Sequence, residues 1–155
     1  MKRALITGSF DPPTKGHLDI IKRSAELFDS VTVCIFVNSE KRYMFSLATR
    51  EEMLKAMCKG ISNVRIDTCD TLVASYINEN GIDVVVKGAR NGSDFEYEAM
   101  LARVNSGMCS AETVILPARA ELAHMSSTAA REMIKYSCNL DEYLTTEVIA
   151  IIENN

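Results

Sequence analysis

Residues 3 to 17 read RALITGSFDPPTKGH: an apolar run, a turn and the opening of an amphipathic helix in quick succession. The run has the composition of a buried strand (Arg3 to Thr7), which Gly8 and the tandem Pro12-Pro13 interrupt. From His17 the apolar period changes. Leu18, Ile21, Ala25 and Phe28 fall on one face and Asp19, Lys22, Arg23 and Glu26 lie away from it, so the spacing predicts a helix from His17 to Phe28. A strand that turns directly into a helix is the first half of a βαβ unit. The loop between them matches neither GxxxxGK[ST] nor GxGxxG. Its parts nevertheless suit an anion: a turn at Gly8, a hydroxyl at Ser9, and Gly16, where no Cβ blocks approach to the backbone. His17 stands at a helix mouth whose free N–H groups carry the positive end of the dipole.

The same alternation continues along the chain. VTVCIFV (Val31 to Val37) is a continuous apolar run, as expected for a central parallel strand covered on both faces. After a polar loop, Ser46 or Thr49 can cap a helix running to about Lys59. Asn63 to Asp67 reads as strand and Thr71 to Asn80 as helix, with Gly81 at its carboxyl end. Asp83 to Val86 is strand, Ser93 to Ser106 helix, and Thr113 to Leu116 strand stopped by Pro117. Helical patterns return at Ser127 to Tyr136 and Asp141 to Glu153. Five strands separated by helices predict right-handed crossovers and an α/β fold: a Rossmann-like, doubly wound, five-stranded parallel sheet with helices on both faces and further C-terminal helices. Ligands in such sheets sit beyond the carboxyl ends of the strands. Chain order therefore brings together the loops at 8–17, 38–42, 87–94 and 117–128.

The 155 residues suit one domain spanning 1–155, and 47% apolar residues suffice for a sizeable core. A net charge of −4 argues against a nucleic-acid coat or a polybasic membrane surface. No stretch approaches the roughly 18 apolar residues of a membrane span. The five cysteines form no CxxC pair and read as reduced, mostly buried thiols of a cytoplasmic protein. With two histidines and no Cys/His cluster, no protein metal site is expected.

GSFDPPTKGHLDII at the start, Lys41 after the second strand, KGARNGSDFEYE at 87–98 and HMSSTAAR at 124–131 together resemble the nucleotidyltransferase superfamily marked by (H/T)xGH. More narrowly they resemble the phosphopantetheine adenylyltransferases, along the whole chain. The resemblance implies transfer of AMP from ATP to 4′-phosphopantetheine, giving dephospho-coenzyme A and pyrophosphate, the penultimate step of coenzyme A synthesis. It implies direct in-line attack, so that catalysis comes from positioning and charge stabilisation rather than from a protein nucleophile or base. It also implies Mg2+ as a companion of ATP and assembly as a homohexamer.

Residue by residue, the resemblance makes His17 the transition-state stabiliser at the α-phosphate and Lys41 the lysine that orients the acceptor phosphate. Ser9 and Phe10 meet ATP, Ser9 lying near the acceptor phosphate too. Gly88, Ala89 and Arg90 form one ATP segment, with Glu98 a nucleotide contact on the following helix. Leu122, Ala123, His124, Met125, Ser126, Ser127 and Thr128 form the second ATP strip. Val73, with Thr71, Leu72, Leu101 and Asn105 around it, lines the acceptor's arm, and Lys87 contacts the acceptor phosphate. Lys87 stands where the family usually has arginine, keeping the charge but losing the planar fork. Thr71 replaces a frequent acidic residue, and Leu122 and His124 replace larger aromatics. Asp11 is expected to fix its own turn through an Asx-type bond. Two rival readings are a related adenylyl- or cytidylyltransferase with another phosphate acceptor, and a nucleotide-binding module without turnover.

Overall fold

The computed structural model describes residues 1–154. In chain order the elements are β1 (Arg3–Gly8), α1 (Lys15–Leu27), β2 (Ser30–Phe36), α2 (Leu47–Met57), β3 (Val64–Cys69), α3 (Val73–Asn80), β4 (Val84–Ala89), α4 (Gly92–Ser106), β5 (Glu112–Pro117), a 3₁₀ turn at Ala120–Leu122, α5 (Ser127–Lys135) and α6 (Thr146–Glu153). All strands are parallel, in the order β3-β2-β1-β4-β5. The winding reverses between β1 and β4, so the loops that follow these two neighbours splay apart and leave a crevice.

Burial explains the run-like strands. Val31, Val33, Cys34 and Ile35 of β2 are wholly enclosed, as are Ala4 and Leu5 of β1. The larger core lies on one face, where Ile21 of α1, Met53 and Leu54 of α2, Ala130 of α5 and Val148 of α6 cover Ile6, Val33 and Val86. On the other face Leu5, Cys34 and Val85 pack against Tyr76 and Ile77 of α3. The thiols are less buried than expected: Cys34 and Cys58 are buried, Cys69 and Cys109 partly so, and Cys138 is exposed.

Helix ends follow their capping residues. The Ser46 Oγ accepts from the Thr49 N–H at 3.1 Å and starts α2. Gly81 ends α3 in the left-handed conformation (φ 58°), which a Cβ would oppose. Several expected boundaries move by a few residues, among them the start of α3 at Val73 and the end of β4 at Ala89, and two shifts have a clear cause. First, α1 begins at Lys15 and not His17, because Thr14 is its cap. Second, the last helix begins at Thr146 and not Asp141. Residues 140–144 form a turn in which the Leu140 carbonyl accepts from the Tyr143 and Leu144 N–H groups at 3.0 and 2.9 Å. That turn buries Leu144 and its Tyr143 carbonyl accepts from the Lys15 N–H at 2.9 Å, so it braces the start of α1.

Candidate active site

A cavity of about 520 Å³ opens at the carboxyl edge of the sheet, over β1 and β4, a size suited to a small organic ligand. Its floor is the loop after β1. Phe10 adopts a left-handed backbone (φ 48°) that costs a side-chain-bearing residue about 1–2 kcal/mol. The strain is compensated by packing: the Phe10 ring is buried and meets the His17 ring edge-on at 5.0 Å. A Cβ on Gly8 would stand 3.0 Å from that ring, which explains glycine at the end of β1.

His17 is the third residue of α1 and half of a reciprocal cap. The Thr14 Oγ1 accepts from the His17 N–H at 3.4 Å, and the His17 Nδ1 accepts from the Thr14 N–H at 2.9 Å. A nitrogen that accepts a backbone N–H carries no proton, so the ring's proton sits on Nε2. Burial, and secondarily the Arg90 guanidinium, pull the imidazole down to about 4. His17 is therefore a neutral N–H donor at the cavity wall. The Gly16 N–H, beside it, has no protein partner among the described residues. A Cβ on Gly16 would make only ordinary contacts with Thr14 and Met125, so packing does not require glycine there.

The second amino end is that of α5. Ser126 caps it, its Oγ accepting from the Ala129 N–H at 3.0 Å. The Ser127 Oγ donates to the Pro12 carbonyl at 2.8 Å, which ties this strip to the first loop. The N–H groups of Ser127 and Thr128 find no protein acceptor among the described residues and add to the field of Gly16.

Cations outnumber carboxylates around the cavity: Lys41, Arg42, Lys87, Arg90 and Arg131 against Asp11, Asp94 and Glu98. Two pairs cancel. Lys87 Nζ lies 3.4 Å from the Glu98 carboxylate, and Arg90 Nε 2.9 Å from that of Asp94, which this contact pulls below the usual carboxylate range. Lys41, Arg42 and Arg131 have no acidic side-chain partner among the described residues. Arg131 donates to the Asp11 carbonyl at 2.7 Å and to the Thr128 Oγ1 at 3.1 Å, which holds its guanidinium on the wall. Such a surplus in a concave site calls for a polyanion.

Of the residues singled out in the sequence, Ser9, Phe10, His17, Lys41, Lys87, Gly88, Arg90, Glu98, Leu122, Met125, Ser126, Ser127 and Thr128 line this one cavity. Ala89 and Ala123 belong to lining segments without lining it themselves. His124 points elsewhere: its Nε2 lies 2.7 Å from the Glu142 carboxylate and its ring stacks edge-on with Tyr143. Val73 sits at the start of α3 against the smaller core, and Leu72 is 68% exposed. Lys87 and Glu98, expected on two different ligands, face each other. Asp11 does not close its own turn. It is 4% exposed, and its carboxylate accepts from the Met44 and Phe45 N–H groups at 2.8 and 2.9 Å, in the loop that carries Lys41. Sequence reasoning missed Arg42, Asp94, Tyr97 and Arg131 as lining residues. The position of Arg131 one helical turn after Thr128 was the available signal.

Residues 5–133 match the cytidylyltransferase-like family. A phosphopantetheine adenylyltransferase of Pseudarthrobacter chlorophenolicus is 40% identical over 150 residues, 96% of this chain and 90% of the relative. One from Thermotoga neapolitana is also 40% identical, across 94% of this chain and 91% of its own. Among solved structures, a putative nicotinate-nucleotide adenylyltransferase from Vibrio parahaemolyticus superposes with a TM-score of 0.72 at 21% identity, covering 99% of this chain and 93% of that one. The nicotinic acid mononucleotide adenylyltransferase of Plasmodium falciparum complexed with APC reaches 0.73 at 14% identity, covering 99% and 94%. At such identities these two likenesses speak to the fold.

Proposed function

The chain belongs to the cytidylyltransferase-like family, and on that premise we propose that it is an enzyme transferring AMP from ATP to 4′-phosphopantetheine, the activity named in its relatives at 35–40% identity. The observation that carries the chemistry is the neutral Nε2–H of His17, set beside Lys41, Arg42 and Arg131, cations without acidic partners. Nothing in this set removes a proton from a nucleophile, and the reaction requires no such group. An oxygen of the acceptor phosphate attacks the α-phosphorus of ATP, the bond to the β-phosphate oxygen breaks, and pyrophosphate leaves with the electron pair.

His17 donates Nε2–H to an α-phosphate oxygen as charge builds there. A neutral donor held by its cap needs no reorganisation when the reaction occurs. Lys41, with the Ser9 hydroxyl, orients the acceptor phosphate. The amino end of α5, with Ser127, Thr128 and Arg131, takes the leaving pyrophosphate. Gly88 and Arg90, with Leu122 and Met125, flank the nucleoside, and Ala89 and Ala123 support these walls, while Val73 at the start of α3 is assigned to the acceptor's arm. Lys87 and Glu98 form a pair that a phosphate must compete with to recruit the lysine.

Mg2+ would come as part of the substrate with ATP, and would supply screening of the phosphate charge. The cavity's carboxylates do not make a cage for it. Asp11 is committed to two N–H groups and Asp94 to Arg90, Glu98 lies 3.4 Å from Lys87 with its buried Oε2 lacking a hydrogen bond, and no cluster of three ligating side chains occurs among the described residues. Assembly as a homohexamer is supported by α4, which leaves Phe95, Tyr97, Met100 and Val104 about half exposed. A cytoplasmic setting is supported by the five free thiols.

The test is pyrophosphate release by purified protein with MgATP and a panel of acceptors. Turnover with 4′-phosphopantetheine is expected. Turnover with nicotinamide mononucleotide and none with phosphopantetheine would transfer the proposal to another acceptor.

A further inference from the structure

Arg50 is 2% exposed on the first turn of α2 and does not line the cavity. A guanidinium always carries its charge, and burying one away from any carboxylate is costly unless its donors are satisfied. No acidic side chain pairs with it among the described residues. Its partners are backbone carbonyls of two separate loops: Nη1 donates to the Ser9 carbonyl at 2.7 Å and Nε to that of Phe45 at 3.2 Å. The guanidinium also lies 4.0 Å from the centre of the Tyr43 ring, whose hydroxyl accepts from the Asn38 N–H at 3.0 Å. The segment from Asn38 to Phe45 is thus folded around this one buried cation, and its tip carries Lys41 and Arg42.

Asp11 makes the reciprocal connection. Its buried carboxylate, on the first loop, takes the N–H groups of Met44 and Phe45 on the second. Two buried charges of opposite sign therefore avoid each other and bind the other loop's backbone, as a crossed latch between the His17 loop and the Lys41 loop. Hydrophobic residues of similar volume would fill the space without the desolvation cost, so the retained charges point to a requirement for fixed geometry.

We propose that Arg50, acting with Asp11, is a positioning residue that fixes the distance between Lys41 and the Ser9–His17 loop, and so determines productive binding of the acceptor phosphate. The proposal rests on the acceptor assignment above. A planar fork spanning two loops is specific to arginine, because lysine offers a point charge that reaches one carbonyl well and the other poorly.

The experiment compares wild type with Arg50→Lys and Arg50→Met. It reads kcat and KM for 4′-phosphopantetheine, ATP affinity by calorimetry without acceptor, and affinity for inorganic phosphate. Both variants should bind ATP as wild type does, and lose on the order of 10²-fold in kcat/KM for the acceptor, with weaker phosphate binding. Should Arg50 variants fail to fold, Tyr43→Leu loosens the same latch from its outer side and is expected to show the same acceptor-only loss. Wild-type acceptor kinetics with only a lowered Tm would reduce Arg50 to a support of α2 and overturn the proposal. A matching fall in ATP affinity would also overturn it, since the latch would then hold the whole site. Absence of wild-type turnover on phosphopantetheine would instead sink the acceptor assignment, and the latch would be decided by phosphate affinity alone.

Discussion

His17 performs two separable tasks, and two substitutions divide them. Nδ1 holds the amino end of α1 by accepting from Thr14 at 2.9 Å, while Nε2–H is the donor proposed for the α-phosphate. In His17→Asn the amide oxygen takes the place of Nδ1, so the cap survives and the ligand-facing donor disappears. In His17→Gln the amide can set its NH2 at the position of Nε2 or its oxygen on the Thr14 N–H, as a capping-box glutamine does. It does not fill both places in the imidazole's geometry, while the Thr14 Oγ1 still accepts from the residue 17 N–H. Loss of a helix cap costs about 1 kcal/mol, or roughly 2–4 °C in Tm for a chain of this size. Loss of a donor aimed at developing charge costs about 2.7–4 kcal/mol, a fall of 10²–10³ in kcat. His17→Asn should therefore melt close to wild type and turn over 10²–10³-fold more slowly, with ATP still bound. His17→Gln should lose no more than that cap energy in stability and retain more activity than His17→Asn. The assays are thermal unfolding and steady-state pyrophosphate release. An Asn variant with full kcat, or a Gln variant less active than the Asn one, would refute the division of labour and with it the Nε2–H assignment.

Because the imidazole's pKa is held near 4, below its ordinary value of 6.5, the neutral form contributes stability above pH 6.5 that is lost as pH falls through 4. Wild type should thus lose more Tm than His17→Asn between those limits, and the acid limb of kcat/KM should show no His17 titration near 6.5; equal Tm losses in the two proteins would contradict this. Gly88→Ala places a Cβ 3.1 Å from Ile20 Cγ1, so it should destabilise by about 1 kcal/mol, and in an Ile20→Ala background, which lacks Cγ1, the same substitution should cost less in denaturant titrations. Gly81→Ala forces a side chain into φ 58° and should cost about 1–2 kcal/mol, read as a shift of the urea midpoint. Burial pushes the Cys34 and Cys58 thiols up to about 12 and about 11, so iodoacetamide at mild alkaline pH should label exposed Cys138 well before either, as peptide mass mapping would show.

The sheet was legible because its signals are local and periodic. The run Val31 to Val37 needs only to be apolar on both faces, and β2 differs from that expectation by one residue at each end. The 141–145 segment misled for the same reason: Leu140, Leu144 and Val148 keep a helical spacing, and a turn followed by a helix buries them equally well. At the site, chain order sufficed to bring four loops together, and the resemblance supplied residues such as Lys41 that sequence periodicity leaves as an ordinary solvated lysine. What could not be read is pairing across loops. Asp11 and Met44 lie 33 positions apart, Arg50 and Ser9 lie 41, and Arg131 and Asp11 lie 120. No helical or strand period links such residues. Nor does composition say that Lys87 faces Glu98 or that His124 turns to Glu142.

Because every strand runs the same way, the opposite rim of the sheet holds only the connections that lead into strands, among them Asp29, the Gly60 bend and Gly81. A Cβ added at Gly60, at φ 93°, would meet nothing within 4 Å. That rim is where a dye, an affinity handle or an inserted peptide belongs, tethered far from the reacting phosphates.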